Sequence, residues 1–125
     1  MRMFRAIALS MALSLLAPAA SSGQTPCKTD ARVVGSCFKV HGRFSFYNGN
    51  PSFRIWPVGT HRLLGVTDDP ELLPPNLEPF TRKPDGPDVY GDFEVCPLTV
   101  EHEGWMQTVC VESATNLVTS DRRRD

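Results

Sequence analysis

Three histidines and four cysteines give this chain its widest chemical repertoire, and their spacing limits what they can do. His41, His61 and His102 are the candidate general bases. A nucleophilic triad needs an activated Ser, Cys or Thr held beside such a histidine. No nucleophile-elbow pattern accompanies any serine here, so no catalytic residue is assigned. Metal chemistry meets similar limits. Glu101-His102-Glu103 sets three donors in a row, but consecutive residues of an extended chain point to alternate sides. Asp85, Asp88 and Asp92 could offer calcium oxygens, yet they lack the ligand order of an EF-hand loop. No metal and no cofactor is expected.

Cys27, Cys37, Cys96 and Cys110 contain no C-x-x-C pair, which removes the usual redox and zinc spacings. An even number in a small exported domain predicts two disulfides. The remaining candidate is a contact surface. Arg43, Arg54, Trp56, Leu63 and Tyr90 mix arginine with aromatic and aliphatic bulk, a composition typical of binding hot spots.

The elements that must position these residues are strands. Phe38, Val40, Gly42, Phe44 and Phe46 alternate with Lys39, His41, Arg43 and Ser45, the period-two pattern of a half-buried strand. Asn48-Gly49 follows as a two-residue hairpin signal. That turn would set Tyr47 opposite Asn50, Phe44 opposite Phe53 and His41 opposite Trp56. Gly59-Thr60 suits a type II′ turn that places Ile55 opposite Leu64. The apolar face then carries Val40, Phe44, Phe46, Phe53, Ile55, Leu64 and Val66; the outer face carries His41, Arg43, Arg54, Trp56 and Leu63. Further strands are expected over residues 89–97 and 105–118.

Residues 67–88 hold six of the eleven prolines and interrupt the pattern. Proline lacks the donor that a helix interior or central strand requires. One short turn fits there, with Asp69 as N-cap and Pro70 at its first position. The rest reads as a loop strapped over the sheet by Leu72, Leu73, Leu77 and Phe80. The fold class is all-β: a small single-domain β-sandwich or open barrel of about five to six antiparallel strands, with a proline-rich loop and two disulfides.

Cysteine pairing is open between two schemes. Laying residues 39–43 antiparallel to 90–96 sets Cys37 against Cys96, Lys39 against Glu94 and His41 against Asp92. Each opposite-charge pair adds about 0.2–1 kcal/mol, which favours Cys37–Cys96 with Cys27–Cys110. The rival joins Cys27 to Cys37 and Cys96 to Cys110, opposing Glu94 to Glu112.

The ends of the chain set its compartment. Arg2 and Arg5, the apolar residues 6–17 and Ala17-Pro18-Ala19 have the order of a secretory signal peptide over residues 1–22. The apolar run falls short of the roughly 20 residues that span a bilayer. Residues 23–36 form an N-terminal segment, 37–118 the domain and 119–125 a tail ending in Arg122-Arg123-Arg124. Without Arg2 and Arg5 the 13 basic residues fall to 11 against 14 acidic, a net charge of −3. That balance argues against nucleic acid or an anionic membrane as partner. The protein is expected in the periplasm or outside the cell, with another protein or a second copy as its partner.

The runs VHGRFSFYNGNPSFRIWPVGT, GDFEVCPLT and WMQTVCVESA resemble a family of exported bacterial proteins with no assigned activity. The resemblance spans most of residues 37–118 and transfers no functional residue. A looser likeness is to transthyretin-like and carboxypeptidase-regulatory-like β-sandwiches, through Gly49-Asn50-Pro51 and Gly91-Asp92-Phe93. Such modules bind or support, which implies an accessory role. The leading expectation is a non-catalytic exported binding or structural module. The alternative is a small hydrolase-like or metal-dependent enzyme with its site under the 67–88 loop.

Overall fold

The computed structural model describes residues 26–83 and 85–121. Residues 1–22, read above as a signal peptide, and Arg122-Arg123-Arg124 lie outside the described residues. The five strands among them are β1 (Phe38–Phe46), β2 (Phe53–Pro57), β3 (Leu64–Val66), β4 (Asp88–Pro97) and β5 (Gln107–Ser120). They close into a barrel in the order β1-β2-β3-β5-β4. An odd number of strands cannot alternate in direction all the way round a ring. One joint must be parallel, and it is β3 with β5, pairing Leu64 with Gln107 and Val66 with Val109.

The inward residues are those the alternation selects. Phe44, Ile55, Leu64, Val89, Phe93, Val95 and Val109 are buried in one cluster, with Val40 and Phe53 packed against it. Phe44 stacks on Phe53 with ring centroids 5.0 Å apart, and Phe46 meets Phe53 edge-on at 5.6 Å. Closing so few strands needs tight coiling. Gly42 and Gly91 face each other across β1 and β4. A Cβ on Gly42 would lie 2.6 Å from Ile55 Cγ2 and 2.9 Å from the Trp56 carbonyl oxygen. Two register shifts between β4 and β5 add to the coiling by setting extra β5 residues against β4.

Both expected turns differ from their sequence reading. The first connection spans residues 47–52, closed by the Tyr47 N–H donating to the Ser52 carbonyl at 2.7 Å. Phe44 therefore pairs with Ile55 and Phe46 with Phe53. Pro51 has no N–H to give a ladder, and its ring packs over Gly65 instead. The register moves by two residues, so every side chain keeps its face. In the second connection Thr60 N–H donates to the Pro57 carbonyl at 3.2 Å. Gly59, at φ +84°, therefore sits second between them rather than first. Ile55 still pairs with Leu64, as expected.

The proline-rich segment lies against the core. Asp69 caps the 3₁₀ turn Pro70–Leu72, accepting from the Glu71 N–H at 3.1 Å. Leu73 and Leu77 are buried in the barrel cluster, and Phe80 packs on it. A second 3₁₀ turn, Glu78–Thr81, was not foreseen. The Asn76 amide donates to the Ala114 carbonyl at 2.6 Å and pins the segment to β5.

The disulfides are Cys27–Cys110 and Cys37–Cys96, the pairing favoured by charge. Phe38 pairs with Val95, Lys39 with Glu94 and His41 with Asp92, as that argument required. Cys96 and Cys110 also stand opposite each other on β4 and β5, although each is bonded elsewhere. Outside the barrel, Cys27, Cys96, Cys110 and Leu72 make a second buried cluster flanked by Val33, Cys37 and Leu98.

Candidate functional site

Alternation and register together build a polar and aromatic row across the outside of β4, β1 and β2. Arg43 pairs with Tyr90 on one side and Trp56 on the other. The two-residue register shift puts Arg43, not His41, opposite Trp56. The guanidinium carbon lies 4.9 Å from the Trp56 ring centroid, within the range of a cation–π contact. The Trp56 indole N–H donates to the Thr60 carbonyl at 2.7 Å, which fixes the ring. Ser45 pairs with Arg54 in the next row, and Arg54 lies 4.9 Å from the Tyr47 ring. Arg54 Nε also donates to the Pro51 carbonyl at 3.1 Å.

Arg43 is the charged centre of this face. Burial works against its charge, but the neighbouring Tyr47 and Tyr90 side chains more than offset it, leaving its pKa above the ordinary arginine value. Its Nε, like the Ser45 hydroxyl, is shielded from solvent and has no hydrogen-bond partner among the described residues. Ser45 as a whole is only 5% exposed. Such unmet buried donors cost about 1–3 kcal/mol each.

Four of the five expected contact residues divide between two open clefts. Arg43 and Tyr90 line one of about 620 Å³, together with Ser45, Tyr47 and Asn48. Arg54 and Leu63 line another of about 870 Å³, with His61, His102 and Trp105 on its walls. Trp56 stands between them through its contact with Arg43. The sequence reading passed over Ser45, Tyr47 and Asn48. Ser45 was visible as the next outward position after Arg43, whereas Tyr47 and Asn48 lie in the loop whose shape the register decided.

Residues expected to stay out of any site are largely occupied. His41 Nδ1 is 2.9 Å from Asp92 Oδ1. Asp92 also accepts from the Asn116 amide at 2.9 Å. The Asn116 and His41 contacts hold the Asp92 pKa below its ordinary value. His102 packs edge-on against Trp105, with ring centroids 5.5 Å apart. Trp105, expected in the last strand, lies before it and is 77% exposed. The turn closed by the Trp105 N–H onto the His102 carbonyl, with Gly104 at positive φ, delays the strand. The sulfurs of Cys27, Cys96 and Cys110 lie within 4.8 Å of one another. All three are in disulfides, so none offers a thiolate.

Under the proline-rich segment is a smaller cavity of about 170 Å³, floored by Phe44, Phe53 and Val66 and rimmed by Asp68, Asp69 and Glu78. Asp69 is bound to Arg32 at 3.0 Å, and Glu78 to Arg82 at 2.7 Å. No protein-family profile, curated protein or solved structure matches this chain.

Proposed function

We propose that this chain is an exported, non-catalytic binding module whose contact surface is the outer face centred on Arg43. The observation that carries the reading is the division of labour between the two faces. The proline-rich segment sends Leu73 and Leu77 into the core, while Arg43, Trp56 and Tyr90 remain half-exposed outside. Export is supported by the signal-like residues 1–22 and by two disulfides. The rival enzyme site under residues 67–88 is less favoured, because two of its three rim carboxylates are committed to arginines.

Amide-resolved NMR on labelled protein tests the binding reading with a library of peptides, saccharides and small anions. Expected are shifts concentrated at Arg43, Trp56 and Tyr90, with the bound compound recovered unchanged. Shifts centred on Phe53, Thr67 and Glu78, or conversion of the compound, would favour the enzyme and end this reading.

A further inference from the structure

We infer that the two disulfides form a relay: a dithiol that opens the Cys37–Cys96 bridge sends Cys96 onto Cys110, and expulsion of Cys27 frees the N-terminal segment. The inference goes beyond the binding reading and does not depend on what the Arg43 face holds.

The placing of the sulfurs carries it. Cys96 and Cys110 are direct cross-strand partners on β4 and β5. Their sulfurs and that of Cys27 all lie within 4.8 Å of one another. Opposed residues of an antiparallel pair have Cα atoms about 4.5–5.5 Å apart, inside the range of about 4.4–6.8 Å that a disulfide spans. A Cys96–Cys110 bond therefore fits the barrel with no strand displaced. Disulfide exchange is the attack of a thiolate on a sulfur already in a bond. Here attacker and target are neighbours before any bond opens.

Exposure sets where the exchange begins. Cys27, Cys96 and Cys110 are 2%, 0% and 0% exposed, whereas Cys37 is only partly covered. A dithiol therefore enters at Cys37. Its first thiolate bonds to Cys37, the Cys37–Cys96 bond breaks, and Cys96 leaves as a thiolate. Cys96 then attacks Cys110: the Cys96–Cys110 bond forms, the Cys27–Cys110 bond breaks and Cys27 leaves. The second thiol of the reductant attacks the first, now bonded to Cys37, closing a disulfide within the reductant and expelling Cys37. Two electrons and two protons pass from the dithiol to the protein. The product has thiols at Cys27 and Cys37 and one bridge, Cys96–Cys110.

That product has lost both covalent ties between residues 27–37 and the β4–β5 pair. The ties that remain include the surface ion pairs of Lys28 with Glu94 and Arg32 with Asp69, which add little. The Val34 N–H also donates to the Pro97 carbonyl at 2.9 Å. Lifting the segment takes Cys27 and Val33 away from the second cluster and uncovers Leu72 and Leu98. β4 and β5 gain a cross-link as this happens, so the barrel outlasts the change. The thiol balance of the surroundings thereby exposes or covers an apolar patch.

The test is limited reduction of the native protein by dithiothreitol at about pH 8, near the ordinary thiol pKa of about 8.5, so that thiolate is present. An acid quench, maleimide labelling and peptide mapping follow. The first two-electron product is expected to carry label on Cys27 and Cys37 and a Cys96–Cys110 bond. Reduction by a phosphine at about pH 4, which suppresses the thiolates, should instead stop with label on Cys37 and Cys96. Cys37→Ser, which deprives Cys96 of its partner from the start, should show its free thiol on Cys27. Trypsin should cut after Arg32 several-fold faster in the exchanged species than in the oxidised protein. Label confined at the higher pH to Cys37 and Cys96, or to Cys27 and Cys110, overturns the relay. Exchange without faster cleavage at Arg32 overturns the release of the segment.

Discussion

Asp92 and Glu94 stand two residues apart on the outside of β4, and each is held by groups from elsewhere in the chain. Glu94 accepts from the Lys28 ammonium at 2.6 Å, and that bond, with the charges of Lys28 and Lys39, keeps its pKa below the ordinary 4.5. Asp92 lies below the ordinary 3.8 through Asn116 and His41. A carboxylate whose folded pKa is depressed binds fewer protons folded than unfolded, so stability rises with pH across that window. The contribution is fully present above the unfolded value and fades as pH falls through the folded one. Melting temperature should therefore hold level from neutrality to about pH 5 and drop below it. Asp92→Asn combined with Glu94→Gln should flatten that drop and lower the neutral-pH value; an unchanged profile would show the pairs to be passive. The sequence pointed to Lys39 as the partner of Glu94, and the register agrees. The ion pair nonetheless forms with Lys28, because the Cys27–Cys110 bridge brings Lys28 there from a remote part of the chain.

At the scale of elements, the barrel depends on where β1 and β4 can approach most closely. Gly42 and Gly91 read in the sequence as two gaps in apolar alternation. In the structure they are the one opposed pair on that ladder where both residues lack side chains. The Cβ of Gly42→Ala would press on the Trp56 backbone, which cannot rotate aside. Overpacking of this kind costs about 1–3 kcal/mol. Thermal denaturation should show Gly42→Ala destabilised by about that amount, while Gly59→Ala is a different case: it meets open space but carries a strained φ of +84°. Equal stability of Gly42→Ala and the parent protein would mean that the two strands can separate without loss. The proline-rich segment belongs to this scale too. Its capped turn at Asp69 was legible because N-cap and N1 preferences are local. The destination of Leu73 and Leu77 was legible only as a need for cover, since the sequence does not say which side of the sheet lacks it.

For the molecule as a whole, two cross-links tie distant segments to the β4–β5 region. The bridges span 83 and 59 residues. Loop-closure entropy separates those two lengths by only about 0.3 kcal/mol, against about 2–4 kcal/mol for either bridge. Packing must therefore decide which matters more. Cys27 and Cys110 are both buried, and their bridge holds the N-terminal segment over the second cluster, whereas Cys37 is only partly covered. Replacing Cys27 and Cys110 with alanine should lower the melting temperature further than replacing Cys37 and Cys96. Denaturant titration of the two double variants gives the comparison, and the opposite order would mean that the N-terminal segment adds nothing beyond its cross-link.

What the sequence determined by itself was everything that depends on near neighbours. Alternation chose the inward face, cross-strand charge favoured one of two cysteine pairings without fixing it, and cap preferences placed the turn at Asp69. The first hairpin shows why even a misplaced turn left the core intact: a slip of two residues preserves side-chain polarity, and only a slip of one reverses it. Tertiary structure alone decided the ring. Closure with five strands forces a parallel joint, and that joint unites β3 with β5 across some forty intervening residues, far beyond the reach of any local pattern. Arg43 shows both halves of this division: its place opposite Tyr90 follows from the charge-matched alignment of residues 39–43 with 90–96, whereas its place opposite Trp56 was decided by the longer first connection, whose shape no two-residue turn signal gives.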